Sequence, residues 1–181
     1  MVWSSAAFIS SKIEVVCWSP HSSGFKVNVD AAVNLANRSF GVGIVVRDSS
    51  GLLVFAAGQF FDNFFDVESA EAKAIQLGIS CACFLQLSRA VIESDALNVV
   101  RLCGGTEVSL TEVDNIVQDV IFLLGLNHSY SVAFVPRLGN NVAHCITKRA
   151  VSGCVSCSWF SSFPDWLVKL ARMDGCSGGS S

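Results

Sequence analysis

The feature that most restricts the fold is a change of period at Val67. Before it, three strand-length apolar segments follow one another: residues 26–32, "FGVGIVVR" at 40–47 and "LLVFAAGQFF" at 52–61. The connections are short. "NLANRS" turns the chain once, and Asp48-Ser49-Ser50-Gly51 turns it again, with Gly51 free to take positive φ. After Val67, Ala70, Ala74, Leu77, Cys81 and Phe84 recur at helical intervals, and Ile75, Ile79 and Ala82 widen the stripe. A helix is therefore predicted over residues 67–85, buried over much of its girth. Three antiparallel strands followed by such a helix demand a sheet for the helix to lie on.

The remaining segments continue the alternation. "RAVIESD" reads as a fourth, core strand, and residues 96–103 as a short helix ended by Gly104-Gly105. Residues 111–124 read as a helix, "YSVAFV" as a fifth strand and residues 140–150 as a last helix. The expected fold is a mixed α/β sheet with helices packed on it. With 181 residues, 51% of them hydrophobic, one core and one main domain are expected. The boundaries read as an N-terminal extension at 1–17, the domain at 18–151 and a tail at 152–181, in which "FPDWLVKLAR" has the pattern of a short amphipathic helix after Pro164.

Charge and cysteines narrow the setting. Twelve Lys and Arg against fifteen Asp and Glu, a net charge of -3, argue against a broad polyanion-binding surface; any nucleic-acid contact must rest on a local basic patch. Residues 109–127 contain no Lys or Arg and three acids, Glu112, Asp114 and Asp119. The eight cysteines are scattered and follow no convincing secretory signal, so reduced thiols in an intracellular protein are expected. The longest uncharged runs are too short to span a bilayer, and no membrane partner is expected. Cys154-x-x-Cys157 has a spacing that zinc can use, but no second close pair completes it. Cys81 and Cys83 lie about 200° apart around a helix and are read as core thiols.

The chemistry-bearing pattern is a set of acids in apolar places. Along "KVNVDAAV", Val27, Val29 and Ala31 share one face while Lys26, Asn28 and Asp30 share the other. Glu71 lies in the first turns of the apolar helix, and Asp95 ends the fourth strand. An ionised carboxylate in such surroundings costs several kcal/mol unless something pairs with it, and basic residues nearby are too few for three partners. Singly, each has a plain explanation: Asp30 bonded to backbone, Glu71 solvated, Asp95 capping the next helix. Together, a parallel pairing of the first and fourth strands with the helix crossing over them brings all three to one point. Oxygen-rich clusters of this kind suit Mg²⁺.

"WSPHSSGFKVNVDAAV", "GVGIVVRDSSG", "ESAEAKAIQLGI", "VIESDALNVV" and "VAFVPRLGNNVAHCITKRA" resemble the successive blocks of the plant ribonuclease H-like family, a retroelement-derived domain related to reverse transcriptase ribonuclease H. The resemblance spans residues 18–151. It implies a five-stranded mixed sheet, its first three strands antiparallel, with helices on both faces. The implied activity is cleavage of the RNA strand of RNA:DNA hybrids, with Mg²⁺ or Mn²⁺ as cofactor; separately, a monomer is expected. Matched block by block, the metal-binding and catalytic acids fall on Asp30, Glu71 and Asp95. Two ions about 4 Å apart would activate water and stabilise the leaving oxygen, and contacts to the 2′-hydroxyl would select RNA.

Two departures from the family pattern stand out. His144 occupies the place of a fourth carboxylate; imidazole is a poor Mg²⁺ ligand, so it implies a weaker second metal site or a proton shuttle. "VDAA" replaces "VDGA", which puts Ala31 where glycine is usual. Nucleic-acid contacts are expected from Asn28 and Ala32, which flank Asp30, and from Arg137 and Asn140 in "VPRLGN". The alternative function is a domesticated nucleic-acid-binding module of the same fold with weak or no catalysis. A third reading, residues 159–170 as a docking helix, competes with simple packing of that segment on its own domain.

Overall fold

The computed structural model describes residues 19, 22–63, 66–105 and 113–174. The N-terminal extension expected at 1–17, the first two residues of the helix expected from 111 and the end of the tail lie outside them.

Among the described residues, six strands and five helices build the domain. They are β1 (Phe25–Asn34), β2 (Ser39–Arg47), β3 (Leu53–Phe61), α1 (Val67–Phe84), β4 (Ala90–Ser94), α2 (Leu97–Cys103), α3 (Val113–Leu126), β5 (Tyr130–Phe134), α4 (Asn141–Gly153), β6 (Cys157–Trp159) and α5 (Asp165–Asp174). The sheet order is β5-β4-β1-β2-β3-β6. Pairings are antiparallel from β1 through β2 and β3 to β6, and parallel from β1 to β4 and from β4 to β5. The parallel β1–β4 pairing expected from sequence is present. The five-strand expectation falls short by β6, three residues within the segment read as tail, which pair with β3. A run so short and so rich in Ser and Cys has no alternation to betray it.

Local chemistry fixes the element ends. Asp48 Oδ1 accepts from the backbone N–H groups of Ser50 and Leu52, and Gly51 sits at φ +86°, which closes the β2–β3 turn. Asp66 caps α1, accepting from Ser69 N at 2.9 Å. Asp95, by contrast, is not the cap of α2; that position is Ala96, with no side-chain cap.

The sheet is covered on both faces. Val27, Val29, Val42, Ile44 and Ile92 join Ala70, Ala74, Ile75 and Ile79 of α1 in the main core. On the other face Val45 and Ala56 meet Val142, Ala143 and Ile146 of α4 and Leu167 of α5. The segment read as a possible docking helix thus packs on its own domain, with Leu167 fully buried and Trp166 stacked edge-on to Trp159 at 5.9 Å. Among the described residues no helix is long and apolar enough to cross a membrane.

One contact decides the position of α4. Gly43 of β2 lies opposite Asp30 of β1. A Cβ there would run into the Ala143 carbonyl and Thr147. The bare backbone lets α4 settle onto the sheet, and Thr147 Oγ1 donates to the Asp30 carbonyl at 3.0 Å. His144, one turn earlier, is thereby carried to Asp30.

Candidate active site

Asp30 is fully buried on the α4 side of β1, near the end of its parallel pairing with β4. Asp95 follows β4 directly, and Glu71 arrives from the second turn of α1. These are the three acids singled out in the sequence, and their charges act on one another. Burial, then the Asp30 and Asp95 charges, push Glu71 up to about 8, with the Ala31 backbone and Arg137 opposing the shift. Burial, and then Asp95, also raise Asp30, against His144 and Arg137. Glu71 Oε2 is buried with no hydrogen-bond partner.

The sequence shows no evident cation for these acids, and here the structure corrects the expectation. Arg137, on the 3₁₀ turn Arg137–Asn140, places Nη1 at 2.7 Å from Asp95 Oδ2 and 3.2 Å from Asp30 Oδ1. Its Nη2 lies 2.7 Å from His144 Nδ1 and 3.0 Å from Nε2. His144 Nδ1 in turn is 3.2 Å from Asp30 Oδ2. Arg137, expected to face nucleic acid, therefore sits among the acids. It lies 107 residues from Asp30 in sequence, and no local pattern announces the pairing.

The two asparagines expected at nucleic acid are buried instead. Asn28 and Asn140 are each 1% exposed. Asn28 Nδ2 donates to Glu93 Oε2 at 3.0 Å, and Glu93 pairs with Lys26 at 2.7 Å. Glu93 takes the Asn28 amide N–H across the parallel pair, while Asn28 Oδ1 is buried without a partner, so Asn28 points into the α4-side layer and away from solvent. Asn140 Nδ2 donates to the Val29 carbonyl and to Asp95 Oδ1, both at 2.8 Å. It is a clamp between β1 and the residue after β4, a role missed from sequence because it depends on where the turn before α4 lands.

The donor set suits a hard divalent cation: three carboxylates, oxygen only, with one buried oxygen unpaired. As posed, with Arg137 bridging two of them, no group of three His, Cys, Asp or Glu side chains among the described residues is gathered closely enough to hold a metal ion. That includes Cys154 and Cys157, which are free and exposed. Cys81 behaves as the core thiol expected; burial pushes it up to about 12.

The raised carboxylates fix a pH dependence. Glu71 has an ordinary value of 4.5 and a folded-state value near 8, so folding favours its protonated form. That contribution is complete below about pH 4.5 and is lost as pH rises through about 8; Asp30 acts with the same sign. In EDTA, the melting temperature is expected to fall by at least about 4 °C between pH 5 and pH 8, and Glu71→Gln to remove most of that fall. Thermal melts across that range measure it.

Comparison with known proteins agrees with this architecture. A family model described as "Reverse transcriptase-like" matches residues 28–150. No curated protein matches the sequence. Among solved structures, RNase H1 from the halophilic archaeon Halobacterium salinarum superposes with TM-score 0.67 at 18% identity, covering 71% of this chain and 98% of that one. The N-terminal RNase H domain of Rv2228c from Mycobacterium tuberculosis, solved as a fusion with maltose-binding protein, gives 0.65 at 18% identity over 71% and 94%. LC11-RNase H1 in complex with RNA/DNA hybrid gives 0.65 at 14% identity over 72% and 98%. With more than half its length matched by that family and its sheet and helices those of ribonuclease H, the chain belongs to the reverse transcriptase-like family.

Proposed function

We propose that the protein hydrolyses the RNA strand of RNA:DNA hybrids with a divalent metal, Mg²⁺ or Mn²⁺, held by Asp30, Glu71 and Asp95. The observation that carries this reading is that acids from β1, α1 and the end of β4 act on one another: burial first, and then the Asp30 and Asp95 charges, push Glu71 up to about 8. A protein with no use for a cation gains nothing from burying that much like charge in one place. A bound metal would polarise the phosphate and supply hydroxide from water at neutral pH.

The chain's own residues do the rest. Asn140 holds Asp95 Oδ1, and Thr147 holds the Asp30 backbone, so two of the acids are oriented from behind. His144, facing Asp30 Oδ2 through Nδ1, fixes the direction of that oxygen and stands where a proton can pass. A cleft of about 400 Å³, lined by Glu68, Glu71, Asp95, Leu97, Asn98 and Arg137 among others, opens beside the acids. The hybrid as substrate class is supported by likeness of fold to LC11-RNase H1, which was solved with RNA/DNA hybrid.

A second reading has its own observation. Arg137 already pairs with both Asp30 and Asp95, which suits a module that binds nucleic acid and no longer cuts it. Labelled hybrid incubated with the protein in Mg²⁺, in Mn²⁺ and in EDTA separates the two. Cleavage in metal that EDTA stops is the expected result; binding without cleavage in every condition would establish the module, and neither binding nor cleavage would defeat both.

A further inference from the structure

Resting on the metal-dependent reading above, we propose that Arg137 is a resident cation that closes the acid cluster in the metal-free chain and is displaced when a divalent ion binds. The geometry is that of a plug. One guanidinium nitrogen touches both Asp30 and Asp95, at 3.2 and 2.7 Å, and the other meets His144. Nη1 therefore lies between the oxygens that a metal ion would need.

The side chain is free to leave, and its backbone is not. The Arg137 side chain is 53% exposed, whereas Asp30 and Asp95 are 0% and 9% exposed. Behind it, the turn is pinned: Asn140 donates to Val29 and Asp95, Val135 N donates to the Ser94 carbonyl at 3.0 Å, and Gly139 N to the Pro136 carbonyl at 2.8 Å. Rotation about the Arg137 side-chain bonds is enough to open the cluster. The cleft beside Glu71 and Asp95, of which Arg137 forms one wall, gives it somewhere to go.

Charge gives the exchange its direction. A single guanidinium leaves the three acids with excess negative charge, whereas a divalent ion neutralises more of it at shorter range. Metal binding must first break the Arg137 contacts, so its apparent affinity falls by the fraction of molecules in which the plug is out. The same guanidinium, once released, stands at the mouth of the cleft, where a phosphate oxygen is its natural partner.

The test compares Mn²⁺ binding, by electron paramagnetic resonance, in the full chain and in Arg137→Gln. The variant keeps a polar side chain and loses the charge; because it leaves Asp30 and Asp95 without their cation, thermal melts of both proteins confirm that the variant is folded at the temperature of the titration. Binding about five- to tenfold tighter in the variant is expected. Alongside, the Arg137 Nε–Hε resonance of the unsubstituted protein should move during a Mg²⁺ titration with the midpoint of metal binding. Equal or weaker Mn²⁺ binding by Arg137→Gln overturns the plug and leaves the hydrolase reading standing. Tighter binding with an unmoved Arg137 resonance also overturns it, since Arg137 then acts only through its field. Absence of Mn²⁺ binding in both proteins removes the metal-dependent reading and the plug with it.

Discussion

Asp30→Asn is expected to lower the rate of hybrid cleavage by about a thousandfold or more while leaving the protein folded. The loss follows from position: Asp30 is the acid that also meets His144 and Arg137, so it lies at the centre of the cluster. Removing a ligand of a catalytic cation forfeits several kcal/mol of transition-state stabilisation, and about 1.4 kcal/mol is tenfold in rate. The fold tolerates the change because burial and the Asp95 charge already disfavour the ionised form. In the metal-free state, the Asp30→Asn variant should keep the parent's melting temperature at pH 8 or exceed it. Single-turnover cleavage in Mn²⁺ decides the matter; activity within tenfold of the parent would place the chemistry elsewhere.

The largest loss of stability is expected at the far end of the same face. Arg47 of β2 and Asp174, the last residue of α5, form a buried pair at 2.9 Å, their side chains 1% and 2% exposed. Burial lowers Arg47 and raises Asp174, and each opposes the other's shift. Removing one partner of a buried pair leaves interior charge poorly compensated, which costs about 3–5 kcal/mol. Asp174→Ala should shift the urea midpoint accordingly, and replacing both residues by apolar ones of similar volume should recover most of the loss. A cost under about 1 kcal/mol would mean that the end of α5 is not anchored by this pair. The consequence reaches the site, because α5 packs against α4, and α4 carries His144.

Much of the arrangement is legible in the order of residues. The period change at Val67 locates α1 to within a residue, and the alternation in "KVNVDAAV" assigns Asp30 to the face opposite Val27 and Val29, because side-chain direction in a strand is set by parity alone. Apolar surroundings mark Asp30, Glu71 and Asp95 as acids in need of explanation, and the parallel β1–β4 pairing brings them near enough for their charges to act on one another, though the described residues form no ready metal cage. Other features have no local signature. β6 is three residues of unremarkable composition that became a strand only because β3 had an edge to offer. Asn28 looks like a surface residue beside a carboxylate, yet Glu93 across the parallel pair claims its amide.

Arg137 shows the boundary best. Its type and place in "VPRLGN" are visible, and its positive charge suggests phosphate; that it lies on Asp30 and Asp95 depends on how far α4 descends onto the sheet, which Gly43 permits. The sequence alone determined which residues alternate, which segments coil and which acids lack a polar setting, because these follow from backbone geometry over a few neighbours. Only the tertiary structure decided which charges meet. Coulomb attraction acts through space, and residues 107 positions apart become neighbours only when the sheet and its covering helices are assembled.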